Sequence, residues 1–179
     1  MMTPQEALEI VARHLAGQEY RAVDPGGLCV YRLRGGPGCP VGALIPDREF
    51  EAANADDAPY RVRHGTDFNG NCPARFLPRY VPSLAHLDGQ FLADMQEVHD
   101  YSRNWGDRGF AAWEALEAVA RKHDLKPACV AEARGLQKTA AAIVDWVGTL
   151  QFTGHQPPSK VPRKASCSTT TARPPAVRG

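Results

Sequence analysis

The first apolar pattern in the chain has a helical period. Leu8, Val11 and Leu15 recur at i, i+3 and i+7, which places them on one face of a helix ending before Gly17. Thr3, Pro4 and Glu6 mark its start: threonine accepts from the free first-turn amides, proline suits the first helical position, and a glutamate three residues past the cap reaches back to the cap amide. His14 stands beside the apolar face as a packed or partly exposed histidine. After the turn cluster VDPGG the period changes. LCVYRLR is dense in valine, tyrosine and leucine and reads as a strand, with CPVGALI as its partner across GGPG. In that hairpin Arg34 faces Cys39 and Leu44 faces Cys29, so the two cysteines are not cross-strand neighbours. Pro46 then turns the chain out of the strand, and Asp47 caps a short helix through REFEAAN.

Residues 54–82 show no clean period and read as an irregular connection with one short strand at Tyr60 to Arg63. From Ser83 the pattern is helical. Leu84 and Leu87 lead into Phe91, Leu92, Met95 and Val98, on a helix running to about Arg103. Asp107 caps the next, which carries Phe110, Trp113, Leu116 and Val119 and ends at KHD. Pro127 opens a third, with Val130, Leu136, Ala140, Ile143, Val144 and Val147 as its apolar face up to Gly148. The elements predict an α+β fold: an N-terminal helix, a β-hairpin or small antiparallel sheet, then a cluster of α-helices.

Composition narrows the class. Of 179 residues, 43% are apolar and 23% charged, as in a globular protein with one domain, here 1–150. No apolar run reaches the roughly 18 residues that span a bilayer, and the N-terminus lacks a basic stretch followed by an apolar one. The expectation is a cytoplasmic protein with no membrane partner. Five cysteines, odd in number and without a CxxC, read as reduced thiols rather than a secreted disulfide framework. The formal charge of +1 conceals an asymmetry: residues 151–179 hold Lys160, Arg163, Lys164, Arg173 and Arg178 and no acidic residue, leaving 16 of the 21 basic residues beside all 20 acidic ones. That segment, rich in Pro, Ser and Thr, reads as a disordered basic tail, either solvated or making salt-sensitive contacts to nucleic acid.

Four groups of residues could carry chemistry. Cys29 and Cys39 lack the close C-x(2–4)-C spacing of structural zinc sites, so a metal set would have to be completed in space by Cys72, His64, His86 or His99. Cys39, after a glycine turn, is a candidate nucleophile, with a buried structural thiol as the alternative. The His99-Asp100 doublet matches metal-dependent phosphohydrolases of the HD class, with His64 or His86 upstream and Asp124 or Asp145 downstream as further ligands. Its alternative is a half-buried histidine beside a surface aspartate. No cofactor is predicted beyond the divalent metal such an enzyme would need. The fourth group mixes arginine with aromatic residues from Tyr60 to Tyr80, the composition of interfaces and single-strand grooves; Phe68, Arg75, Phe76, Arg79 and Tyr80 are its candidate binding residues.

Two short blocks also carry a resemblance. Cys29, Tyr31 and Arg32 (C-x-Y-R), then Cys39, Gly42 and Leu44 to Asp47 (C-x-x-G-x-L-I-P-D) with Phe50 beyond, together with His14-Leu15 and a later Gln96, His99, Asp100 (Q-x-x-H-D), resemble a family of small proteins encoded by tailed phages and prophages. The resemblance covers about residues 5–105 and departs from the pattern in the loop 52–82 and after Lys126. It implies a bacterial host cytoplasm and an interaction role, with modulation of host defence as one form of it, and implies no reaction. The leading expectation is therefore a non-enzymatic accessory protein that binds a host or phage protein, with Arg32 and Asp47 as further polar candidates for that contact. A metal-dependent hydrolase at His99 and Asp100, and nucleic-acid binding through the tail, are the alternatives.

Overall fold

The computed structural model describes residues 1–33 and 38–153, the last eight as backbone. Helix α1 (Pro4–Ala16) begins as its sequence requires: Thr3 Oγ1 accepts from the Glu6 amide at 3.2 Å, and Glu6 accepts from the Thr3 amide at 2.6 Å. The helix buries Ala7, Leu8, Val11, Ala12 and Leu15. Three further helices share its apolar cluster: α6 (Gly89–Asp100), α7 (Trp113–Lys122) and α8 (Ala128–Thr153). The first turns of α8 pack on α1 and α7, burying Val130 and Ala133, while α6 packs on α7 through Phe91, Leu92, Met95, Leu116 and Val119. Asp94 ties that second pair together, accepting from Gln90 at 2.8 Å, Lys122 at 2.7 Å and His123 at 2.6 Å. Burial pushes this carboxyl up, but the three donors outweigh it and hold Asp94 below the usual carboxylate range.

The only sheet among the described residues is small and lies elsewhere than expected. β1 (Trp105–Gly106) and β2 (Gly109–Phe110) pair antiparallel, Trp105 opposite Phe110, around a turn in which Gly109 takes φ +92°. Asp107 therefore sits in that turn and does not cap α7, which Ala112 precedes, and Phe110 belongs to β2. The predicted hairpin at 28–45 reduces to one bridge, Arg32 to Gly38; the Arg34 position lies outside the described residues. CPVGALI is a turn followed by a 3-10 turn, Gly42–Leu44, so Leu44 does not face Cys29. The physical reason is burial on consecutive positions: Cys39, Pro40, Val41 and Gly42 are all buried, which a strand with one wet face cannot provide. The 28–33 segment satisfies its backbone on Asn69 instead, whose side chain accepts from the Arg32 amide at 2.9 Å and donates to the Arg32 carbonyl at 2.8 Å, as a neighbouring strand would.

The connection 54–82 is helical rather than irregular. Residues Tyr60 to Arg63, expected as a strand, lie in α3 (Pro59–His64), which Pro59 opens and Gly65 closes at φ +70°. α2 (Asp47–Asn54) matches its predicted span to within a residue, but Pro46 takes the cap position and Asp47 is the first helical residue, with no side-chain cap; α4 (Phe68–Asn71) and α5 (Leu77–Tyr80) complete the wrap. Phe68 sits at its centre, with ring centroids 5.6, 5.8 and 6.3 Å from Tyr31, Tyr60 and Phe50. The architecture is mixed α+β and mostly helical, around one apolar cluster running from Ala7 to Ala133. Helix α8 carries the chain past residue 150, and the rest of the expected tail, 154–179, lies outside the described residues. No helix among the described residues is long and apolar enough to cross a membrane.

Gly42 is where this arrangement allows no side chain. A Cβ there would stand 2.1 Å from the Tyr31 carbonyl oxygen. Gly42→Ala is expected to lower unfolding free energy in urea by about 2–3 kcal/mol, whereas Gly106→Ala, with nothing within 4 Å, is expected to change it far less.

Candidate functional site

The C-terminal end of α6 gathers residues from four parts of the chain. Asp100, its last residue, places a carboxylate at the negative end of the helix, where it is unfavourable without donors. The donors are present. Gln96 Nε2 donates to Asp100 Oδ1 at 2.5 Å, His99 Nδ1 lies 3.0 Å from the same oxygen, and the Cys29 thiol stands close to the carboxylate. Arg21 donates to the Asp100 carbonyl, covering one of the free acceptors that end the helix. Gln96 extends the network, accepting from Cys39 Sγ at 3.2 Å, while Cys39 in turn accepts from the Gly42 amide at 3.2 Å. Trp105 donates to the His99 carbonyl at 2.8 Å and packs its ring edge-on against the imidazole. Residues of the 29–42 stretch and of the Gln96, His99, Asp100 group thus meet in space.

Cys29, His99 and Asp100 have ligand atoms within 4.8 Å of one another, the one such group of three among the described residues. Cys39 and His86 are not in it, and His86 instead contacts the Met2 carbonyl. Nor do the further ligands expected for a phosphohydrolase arrive: His64 meets the Tyr80 hydroxyl at 3.3 Å and Asp145 pairs with Arg108 at 3.1 Å. The tautomer of His99 decides what the group can do. The Ala22 amide points at Nε2 from 3.4 Å, and an amide can only donate, so Nε2 is the acceptor and Nδ1 carries the proton given to Asp100. A cation on the Cys29 and Asp100 side would need Nδ1 bare and a proton on Nε2, facing another donor. The donor set therefore fits a hydrogen-bond network and does not fit a metal.

The thiols are equally unsuited to attack. Burial first, and the hydrogen bond and charge of Asp100 next, push Cys29 up to about 12. Cys39 is wholly buried and pushed up by that burial, and burial takes Cys72 up to about 12. Among the described residues no base stands beside Cys39 to draw off its proton; its one side-chain partner there is an amide oxygen.

The predicted binding residues divide between interior and surface. Phe68 is 0% exposed and belongs to the core, not to a contact surface. Arg32 and Asp47 are spent on each other: the guanidinium meets Asp47 at 2.5 Å and the Ile45 carbonyl, and lies 4.6 Å from the Phe50 ring centre, clasping the 28–33 segment to α2. Arg75, Phe76, Arg79 and Tyr80 remain together at the surface around α5. The guanidinium carbons of Arg75 and Arg79 lie 4.9 and 5.1 Å from the Phe76 ring centre. A cleft of about 380 Å³ opens on one side, lined by Arg48, Glu49, Tyr60, Arg79 and Tyr80. Another, of about 460 Å³, opens beside Arg75, Gln96, Glu97, Asp100 and Tyr101. Arg21 and Trp105 were not readable as members of the Asp100 cluster, because Arg21 stands 79 residues away and no spacing signals such a contact.

Two outcomes follow from this geometry. Alkylation with iodoacetamide at pH 8, mapped by peptide mass spectrometry, is expected to leave Cys29, Cys39 and Cys72 unmodified in the native protein and to label them in urea; fast native labelling of Cys39 would restore the nucleophile. Burial holds His99 below its ordinary value, so the unfolded chain binds the extra proton first as pH falls. Stability is then expected to be full above about pH 6.5 and to decline as pH drops from there toward the lower folded value. Nitrogen-resolved NMR should show a neutral His99 protonated on Nδ1 at pH 7, unchanged by added Zn²⁺; an Nε2 proton, or a zinc-dependent shift, would contradict the assignment.

No protein-family model, curated protein or solved structure matches the chain.

Proposed function

We propose that the chain acts by binding, as an accessory protein of phage or prophage type, and that Arg75, Phe76, Arg79 and Tyr80 meet an acidic face of a host or phage protein. The observation behind this reading is the pair of exposed arginines over one phenyl ring, neither of which is in an ion pair among the described residues. Stacking on Phe76 holds both guanidiniums extended, so a partner carboxylate meets donors already arranged and less entropy is lost on contact. Arginine and tyrosine at the mouth of a cleft are the residue types that dominate protein interfaces. The flanking carboxylates favour a protein over nucleic acid: Glu49 lines the cleft beside Arg79, and Glu97 and Asp100 line the one beside Arg75. A surface of alternating sign suits a protein face of opposite pattern, and repels a continuous phosphate backbone. The phage or prophage setting rests on the resemblance of the two motif blocks.

The test uses the Arg75→Ala/Arg79→Ala double variant, whose side chains make no core contact, with Arg13→Ala as a control on another exposed face. A partner captured on the wild-type chain from a bacterial host lysate is identified and purified, and its affinity measured by calorimetry at two salt concentrations. The double variant is expected to bind about tenfold or more weakly, with a shallower salt dependence, and Arg13→Ala to bind as wild type. Equal affinity of the double variant and wild type would remove this surface from the function.

A further inference from the structure

Just past α1 the chain runs between the β1–β2 turn and the flank of α8. Gln18 stands at that crossing with its backbone held on both sides: its amide donates to the Leu15 carbonyl at 3.3 Å, and its own carbonyl lies against Gly109, where a Cβ would come within 2.5 Å of the oxygen. The residue is 5% exposed, yet neither end of its side-chain amide has a hydrogen-bond partner among the described residues. A buried amide with donor and acceptor both unmet loses the hydration of two polar groups and recovers nothing, so the position calls for something that binds there. Gln18 also lines a cleft of about 410 Å³ between the end of α1, the β1–β2 turn and α8, with Gly17, Glu19, Asp107, Ala140 and Val144 among its walls.

The chemistry of the walls selects the ligand. A side-chain amide offers a donor beside an acceptor, the pattern that a peptide group completes. Asn69 does this within the same molecule, accepting from the Arg32 amide at 2.9 Å and donating to the Arg32 carbonyl at 2.8 Å. The cleft around Gln18 is also acidic. Glu19 and Asp107 are exposed and in no ion pair among the described residues, and the one cation among the lining residues, Arg108, is paired with Asp145 at 3.1 Å. Phosphate and carboxylate ligands are repelled by such walls, and a basic peptide is attracted. The chain carries one. Residues 154–179 hold five basic residues and no acidic one, and three of the five, Lys160, Arg163 and Lys164, fall within 160–164. Val144 in the cleft wall stands nine residues, about 14 Å, before the end of α8 at Thr153. The seven residues from there to Lys160 span up to about 23 Å when extended, long enough to return to Gln18. A segment tethered to the helix that forms one wall also meets the cleft at high effective concentration.

We propose that residues 160–164 dock in this cleft of their own chain, one peptide group pairing with the Gln18 amide and the basic side chains meeting Glu19 and Asp107. The contact is separate from the surface around Phe76 and does not depend on it. A nitroxide on Cys167, three residues past Lys164, reads the contact in the full chain, with Cys129→Ser in place and single labelling verified by mass spectrometry. In nitrogen-resolved NMR the label is expected to erase the backbone amide signals of Glu19, Asp107 and Ala141 and to leave those of α3 in place. Lys160→Glu/Arg163→Glu/Lys164→Glu is expected to restore the lost signals, and adding Glu19→Lys/Asp107→Lys to that chain to erase them again. Gln18→Leu, which removes both polar ends at similar volume and is checked for fold by circular dichroism, is expected to restore them in part. Cleft signals that survive the label in the otherwise unaltered chain would overturn the proposal, as would a loss unchanged by the charge reversal or by Gln18→Leu. Loss that appears when the nitroxide and the nitrogen label are on different molecules of a mixture would assign the cleft to a second copy, and would overturn it equally.

Discussion

A carboxylate at the wrong end of a helix is the constraint around which this protein is assembled. Asp100 terminates α6, where the helix already presents unsatisfied carbonyls, and it is partly buried there. Gln96 and His99 direct hydrogens at it, the Cys29 thiol stands beside it, and Arg21 covers its carbonyl. Each neighbour fixes a different piece of chain. Arg21 and Cys29 bring in the segment before and within the 28–33 run; Gln96 reaches Cys39 and so the glycine turn; and Trp105, bonded to the next carbonyl back, brings in the β1–β2 pair. A polar cluster of this kind favours one arrangement, because moving a member takes a partner from the buried His99 or the half-buried Asp100.

Around this cluster the long connection solves a second problem, how to keep aromatic residues dry beside many arginines. The rings of Tyr31, Tyr60 and Phe68 go inward, Tyr60 edge to face on Phe68 and Tyr31 tilted against it, while Arg32, Arg75 and Arg79 set their guanidiniums over Phe50 and Phe76 at the rim. The same mixture of residue types therefore yields both a core and a surface. Arg32 finds a carboxylate within its own chain and becomes a clasp. Arg75 and Arg79 are in no ion pair among the described residues.

The helices were the legible part. Thr3 to Glu6 states the start of α1 outright, and the apolar spacing of Phe91 to Val98 and of Trp113 to Val119 matches the buried faces of α6 and α7. The strands were not legible. CPVGALI has the residue types of a strand but is buried on consecutive positions, and Tyr60 to Arg63 has the types of a strand yet starts from a proline suited to a first helical turn. In the site, Cys29, His99 and Asp100 were each visible as ligand-type residues, but the hydrogen bond from the Ala22 amide that settles the histidine's tautomer comes from 77 residues away. For α8 the apolar positions were readable, and their exposure was not: Val130 and Leu136 look alike in the pattern, though one is buried and the other bare.

What the sequence determined by itself, then, is local: the cap of α1, the helical periods and the mixed α+β class, which depend on residues within one or two turns of each other. Which cysteine meets which carboxylate, which arginine is left unpaired and which apolar face is left uncovered were decided by the tertiary structure. Those are properties of pairs brought together by burial, and contact between residues 21, 29, 39 and 100 leaves no trace in their spacing.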